Sequence, residues 1–239
     1  MTVKPRHVIF VLNNDQDVIR NLCKDFPGFY YDEEFSVSGR QLGMDSAFLA
    51  SMDRLIPSFS ADDQNAVEKH TAVNYVLSES MDVGAECDIS LKMLSFVAAA
   101  FHLGALAVKG ESSGIAHGRK RWLELYERSK DKEQQISALY RAWVRLPISD
   151  SSKFYSVGMH LLGMRDAEIE SSETAIEDLD MFLLYLSVDG GDSKIVSGET
   201  FSKDQRSSVY GIDEVRCSRF PEDDFFHNPY GVWSLQKKD

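Results

Sequence analysis

The sequence predicts an α+β fold: a mixed, largely antiparallel sheet packed with helices, in one compact unit over residues 1–239 that can be divided into intimately packed halves, 1–135 and 136–239. Three observations carry this. The chain has 239 residues with 43% hydrophobic and 11% aromatic content, enough for one large core. Residues 71–109 read as strand, long apolar helix and adjacent strand, a βαβ-like unit. Downstream, short alternating segments are separated by turn residues, with no internal repeat and no low-complexity linker.

In order, 7–12 reads as a first strand, and 15–25 as a short helix with Val18, Ile19 and Leu22 inward. The stretch 26–60 is rich in Gly, aromatics and turn residues, and its pattern assigns no element. Ser60 caps a helix start, with Asp63 three residues later. Ala72, Val73, Tyr75, Val76 and Leu77 make a mostly buried strand. A helix over 84–103 ends at Gly104 in a left-handed turn, and 105–109 is a second buried strand. A helix over 117–128 carries Arg119, Lys120 and Arg121 beside Trp122, Leu125 and Tyr126. Two strands follow, 139–146 and 154–161, separated by 147–153; in the first, Tyr140, Ala142, Val144 and Leu146 share one face. An acidic helix over 172–188 ends at Gly190-Gly191, and short strands near 194–197, 208–215 and 232–235 complete the chain.

A net charge of −12 disfavours nucleic acid or an anionic membrane as partner, since both require concentrated Lys and Arg. A basic protein suits it better. The three cysteines, Cys23, Cys87 and Cys217, are far apart and form no C-x-x-C pair, which indicates reduced thiols rather than a disulfide framework or thiolate zinc site. The apolar run 8–12 is too short for a signal-peptide core, and the longest apolar tract, 93–108, is shorter than the roughly 20 residues of a membrane span. A cytoplasmic location is expected.

One catalytic pattern occurs, Gly110-Glu111-Ser112-Ser113-Gly114, a G-x-S-x-G match placed after a predicted strand and before a predicted helix. Ser112 would be the nucleophile, with His160 or His227 downstream. No Gly-rich oxyanion segment precedes it, and the following helix is charged; Gly and Ser also cluster in ordinary turns. The same loop, with Lys109 and Arg119, offers donors for an anion but lacks P-loop spacing. The six histidines show no metal-ligand spacing, and no cofactor is indicated. Glu168 and Glu170, two apart on a strand, share one face; a solvated strand edge is the ordinary reading of such a pair.

The most informative segment is 166–192, which carries nine carboxylates and no Lys or Arg. A concentrated field of one sign speeds encounter with an oppositely charged partner. In its helix, Thr174 and Glu177 fit a capping box, and Ile176, Leu179, Phe182, Leu183 and Leu186 form an inward stripe. Glu173, Glu177, Asp178 and Asp180 fall mostly opposite, in company with Met181, Leu184 and Tyr185. Acids around large apolar side chains suggest a contact patch for a protein. The alternative is that Arg141, Arg145 or the Arg119 cluster pairs with these acids inside the fold.

From about residue 71 onward the chain resembles the bacterial domain-of-unknown-function family 4261, through Gly158-Met159, Gly163, Glu168-Ile169-Glu170, the acidic helix, and Asn228-Pro229 with Gly231 and Trp233. Proteins similar to this one occur among immunity proteins that protect bacteria against their own secreted toxins, including type VI secretion effectors. The resemblance implies stoichiometric neutralisation of a cognate toxin and carries over no catalytic residue. The alternative is a serine hydrolase using Ser112.

Overall fold

A computed structural model of the chain describes residues 4–52, 59–150 and 152–238; the side chains of Pro147 and Asp189 lie outside that description, as do residues 1–3 of the basic start and 53–58 of the unassigned stretch. Among the described residues the fold is α+β, with seven α-helices and two mostly antiparallel sheets.

The first sheet is built around β1 (Val8–Asn13), whose six residues are all buried. Two antiparallel partners flank it, β3 (Ala72–Ser78) and β4 (Ala107–Gly110). β2 (Phe29–Ser38) pairs with β3, and β5 (Ile115–His117) with β4, giving the order β2-β3-β1-β4-β5. Helix α1 (Gln16–Asp25) joins β1 to β2, and α4 (Glu86–His102) joins β3 to β4. This is the βαββαβ arrangement of ferredoxin-like folds, extended by one strand. The expectation that the strands flanking the long helix are neighbours is thereby corrected: β1 lies between them, so the crossover is split. A strand this apolar on both faces takes the centre of a sheet, which is why it displaces the pair.

Helices α2 (Met44–Ala50) and α3 (Ala61–Glu68) cover the other face of this sheet, where Phe48 and Val67 meet Leu12, Val73 and Ala107. Ser60 and Asp63 form the expected cap, as a reciprocal capping box. Gly104 takes the expected left-handed turn after α4, with φ 95°. The stretch without an assignment holds β2 and α2; β2 is mostly exposed and mixes acids with aromatics, so it shows no clean alternation.

Helices α5 (Arg119–Ser129) and α6 (Gln135–Trp143) lead to the second sheet. The predicted strand 139–146 is instead α6 followed by β6 (Arg145–Ser149). Buried Ala138, Leu139, Ala142 and Trp143 follow the 3.6-residue period, while Tyr140, Ala142, Val144 and Leu146 alternate with a period of two, and such apolar runs are ambiguous by pattern alone. β6 passes through Pro147 because it is an edge strand, where a missing N–H costs no ladder bond. The predicted strand 154–161 ends early: β7 (Lys153–Val157) gives way at Gly158 to a 3-10 turn, Met159–Leu162. Gly158 has φ +122°, and a Cβ there would lie 2.3 Å from the Trp143 carbonyl oxygen, so only glycine fits.

β8 (Asp166–Glu170), α7 (Ala175–Ser187), β9 (Thr200–Phe201), β10 (Tyr210–Val215) and β11 (Val232–Lys237) complete the sheet in the order β6-β7-β8-β11-β10-β9. Only β8 and β11 run parallel. The strand expected near 194–197 does not form; a 3-10 turn, Val188–Ser193, carries the chain to β9 instead.

Buried side chains of α4, α6 and α7 join Ile9, Val11 and Val108 of the first sheet to Ala167, Ile169 and Leu235 of the second in one continuous hydrophobic cluster. Trp122 and Trp143 sit within it, 5.1 Å apart, donating their indole N–H groups to the carbonyls of Val108 and Ser90. Each such buried large side chain contributes about 2–3 kcal/mol. No described helix is long and apolar enough to cross a membrane.

Candidate functional site

The Gly110–Gly114 segment is a tight connection between antiparallel β4 and β5. It therefore lacks the strand-to-helix context of a nucleophile elbow, because β5 intervenes before α5. Ser112 is 2% exposed, and its hydroxyl is tied to β1: it donates to the Arg6 carbonyl at 2.7 Å and accepts from the Val8 amide at 2.8 Å. Both roles of a nucleophilic hydroxyl are thus committed to backbone. His160 is buried 3.9 Å from the Asp166 carboxylate, and His227 hydrogen-bonds the Phe220 carbonyl at 3.0 Å. The anion donors expected near this loop are also engaged. Lys109 pairs with Glu111 and lies over the Phe10 ring, and the Arg119 guanidinium donates to the Phe101 carbonyl at 3.1 Å.

On α7 the expected outward acids divide. Glu173 and Glu177 face solvent, Glu177 pairing with Lys203 at 2.9 Å. Asp178 does not: it is 2% exposed and accepts from Tyr210 at 2.7 Å and Thr174 at 2.8 Å. Thr174 thereby makes no capping bond, which corrects the expected capping box. Asp180 is held two-pronged by Arg141, at 2.6 and 2.9 Å, and accepts from Tyr140 at 2.7 Å. The reason is the helical period. Ala175, Asp178, Leu179, Phe182, Leu183 and Leu186 form one buried stripe, and Asp178 lies within it despite its charge. Leu184 packs against the core, whereas Met181 and Tyr185 are 40% and 49% exposed.

Several other acids of the segment are engaged within the fold as well, though Glu170 and Glu173 are exposed. Asp166 accepts from Ser156, Asn228 and the Met159 amide. Asp192 binds Arg165 at 3.0 Å and the Trp233 indole at 2.7 Å. Glu168 accepts from Lys153, Arg219 and Ser234. Basic side chains from elsewhere in the chain thus converge on the acid block, and its concentrated field is largely cancelled within the fold. Glu168 is moreover on β8, an interior strand between β7 and β11, which corrects the strand-edge reading.

Two surface features remain. The first lies beside α7. Glu177, Met181 and Tyr185 are spaced by four residues along its outer side, and Tyr185 lines a groove of about 280 Å³ with Phe182, Ile195, Phe201 and Ile212. Glu199, Thr200 and Ser202 are also in its lining, and Val188 and Val196, which follow Ser187 and Ile195 in the chain, are exposed. Strand β9, which forms one wall, is the free edge of the second sheet.

The second is a cleft of about 480 Å³ on the outer face of the second sheet. Tyr155, Glu168, Ser234 and Gln236 form its floor, and residues 215–220 with Phe226 fold over it. Asn228 braces that covering segment, donating to the Asp166 carboxylate at 2.7 Å and the Met164 carbonyl at 3.0 Å. Tyr230 donates to buried Glu86, and burial with that carboxylate raises its phenol well above the ordinary value. The motif residues Gly158, Gly163, Asn228 and Trp233 therefore act here as structural braces. Arg219 and Tyr155, missed by sequence reasoning, meet in this cleft with the guanidinium 4.0 Å from the ring centroid. They are 64 residues apart, and no spacing rule joins them.

Among the described residues no group of three or more His, Cys, Asp or Glu could hold a metal ion. A scan against protein-family models and searches of curated proteins and of solved structures return no match.

Proposed function

We propose that this chain acts by stoichiometric binding of a partner protein, as a cytoplasmic immunity protein that neutralises a cognate bacterial toxin such as a type VI secretion effector. The observation that supports this reading is the exposed side of α7, from which Met181 and Tyr185 stand out. Tyr185 and Glu199 line a groove with Phe182, Ile195, Phe201 and Ile212, and Glu173 and Glu177 are exposed toward the start of the helix. Soluble surfaces rarely place large apolar side chains together around a groove unless something covers them. An aromatic centre with a charged rim is the anatomy of a protein interface. The exposed acids on this side, Glu173 and the Lys203-paired Glu177, favour a basic partner, although far fewer than nine contribute. The buried, backbone-tied Ser112 hydroxyl argues against the serine-hydrolase alternative.

The test is capture of the tagged protein's partner from its native host, washed at low and then high salt, in parallel with a Met181→Ser/Tyr185→Ser variant. A near-stoichiometric partner that is lost from the variant, and whose expression is lethal without this chain, is the expected result. A partner retained equally by the variant would overturn the assigned face. A captured partner that is harmless when expressed alone would overturn neutralisation.

A further inference from the structure

We propose that the cleft on the outer face of the second sheet binds a small organic oxyanion, a carboxylate or phosphate ester carried on an apolar body. The cleft shares no lining residue with the α7 groove, so the proposal does not depend on the neutralisation reading.

The argument is a balance of donors and acceptors. Each carboxylate in the wall accepts three hydrogen bonds, out of about four acceptor sites. Glu168 accepts from Lys153 and Ser234 on one oxygen and from Arg219 on the other. Asp166 accepts from Ser156 and the Met159 amide on one oxygen and from Asn228 on the other. Each therefore keeps about one acceptor site.

The cations keep more. A guanidinium carries about five N–H donors and an ammonium three. Arg219 gives one to Asp150 and one to Glu168, leaving about three, and Lys153 gives one to Glu168, leaving about two. Arg216, also in the wall, is exposed and carries no ion pair among the described residues. Three cations thus face three carboxylates, Glu168, Asp166 and the Asp150 that Arg219 also holds, so charge is balanced while N–H donors outnumber the acceptor sites left. That surplus, with Arg216 in no ion pair among the described residues, suits a ligand that is an anionic acceptor. In a chain of net charge −12 such a site is unexpected, and simple surface statistics do not supply it.

The remaining lining fixes the body of the ligand. Phe220, Phe226, Val215 and Val232 make an apolar wall, while Arg219 already covers a face of Tyr155. A volume of about 480 Å³ is that of a small-molecule site. It accommodates a ring bearing one charged group, with the charge toward Arg216 and Arg219.

Titration of the intact protein with benzoate, phenyl phosphate and neutral benzyl alcohol tests this, followed by proton–nitrogen NMR of the arginine side chains. The expected result is saturable movement of the Arg219 and Arg216 resonances with at least one of the two anions and none with the alcohol. Whether benzoate or phenyl phosphate binds tighter separates the carboxylate from the phosphate source. Arg216→Gln, at an exposed position that leaves the Glu168 network intact, should weaken binding about tenfold, the loss of one charge-assisted hydrogen bond. Arg216→Lys should restore part of it. Absence of saturation with both anions, equal binding of the alcohol, or unchanged affinity in Arg216→Gln would each overturn the proposal.

Discussion

Glu177 and Asp178 are neighbours on α7 with the same charge and opposite surroundings. The Glu177 side chain is 68% exposed and touches one lysine; the Asp178 side chain is 2% exposed and receives hydrogen bonds from two hydroxyls. One turn on, Asp180 is shared between Arg141 and Tyr140, while Met181 points outward. A single residue of rotation, about 100° around the helix, decides whether an acid is part of the interior or of the surface. The inward acids hold α7 to α6 and β10. The outward side also carries the exposed Met181 and Tyr185.

The difference is sharpest where interior polar groups cannot ionise at all. Burial pulls His7 from 6.5 to about 3, with the nearby His160 adding to the effect, and burial does the same to His117, aided by the charge of Arg121. Both are neutral when folded and take up a proton only on unfolding at moderately acid pH. The sign follows: the unfolded chain binds more protons between 6.5 and about 3, so stability is full above 6.5 and is lost as pH falls through that window. At about pH 5 each costs on the order of 2 kcal/mol, roughly 4 together. Urea unfolding at about pH 7.5 and 5 measures it. His7→Gln should remove close to half of the pH dependence; an unchanged slope would mean that His7 is not held neutral.

Next in size is Asp178→Ala, which leaves the Tyr210 and Thr174 hydroxyls without their acceptor and Lys203, 4.0 Å away, without that charge. A loss of about 3 kcal/mol is expected, read as a lower urea midpoint at constant slope. Asp178→Asn keeps one acceptor and should cost less. Asp180→Ala follows at about 2 kcal/mol, because the Arg141–Asp180 pair is partly open to water, which takes over some of the lost bonds. Equal effects for the two aspartates would erase the distinction between a fully buried acid and a half-buried one.

The α+β class was legible because β1, β3 and α4 are apolar enough to declare themselves. Less visible was the insertion of β1 between β3 and β4, since strand order depends on which strand buries both faces. Residues 139–146 misled because a short apolar run satisfies two periods at once. On α7 the inward stripe was correct at Leu179, Phe182, Leu183 and Leu186, yet Asp178 was placed outside by its charge when its position put it inside. Arg141 as an internal partner for these acids was one of the alternatives read from the sequence; Arg165, Arg219, Lys153 and Lys203 were not, because each pairs with an acid 15 to 51 residues away, a separation that no local spacing rule links. The sheet-face cleft depends on the same long-range convergence, and local spacing carries no trace of it.

The smallest expected effect on folding belongs to an exposed residue on the outer side of α7. Met181 lies on the outer side of α7, four residues from both Glu177 and Tyr185, and belongs to neither hydrophobic cluster. Met181→Ser removes partly exposed apolar surface and leaves no cavity, so stability should stay within about 0.5 kcal/mol of the parent. A contact residue at the centre of an interface costs 1 kcal/mol or more when truncated, roughly a fivefold loss of affinity or greater. The two measurements together, a urea midpoint and a partner affinity, separate the outward side of α7 from its inward side. If Met181→Ser were as destabilising as Asp180→Ala, Met181 would belong to the interior, and the apolar stripe beside the groove would have to be explained by packing alone.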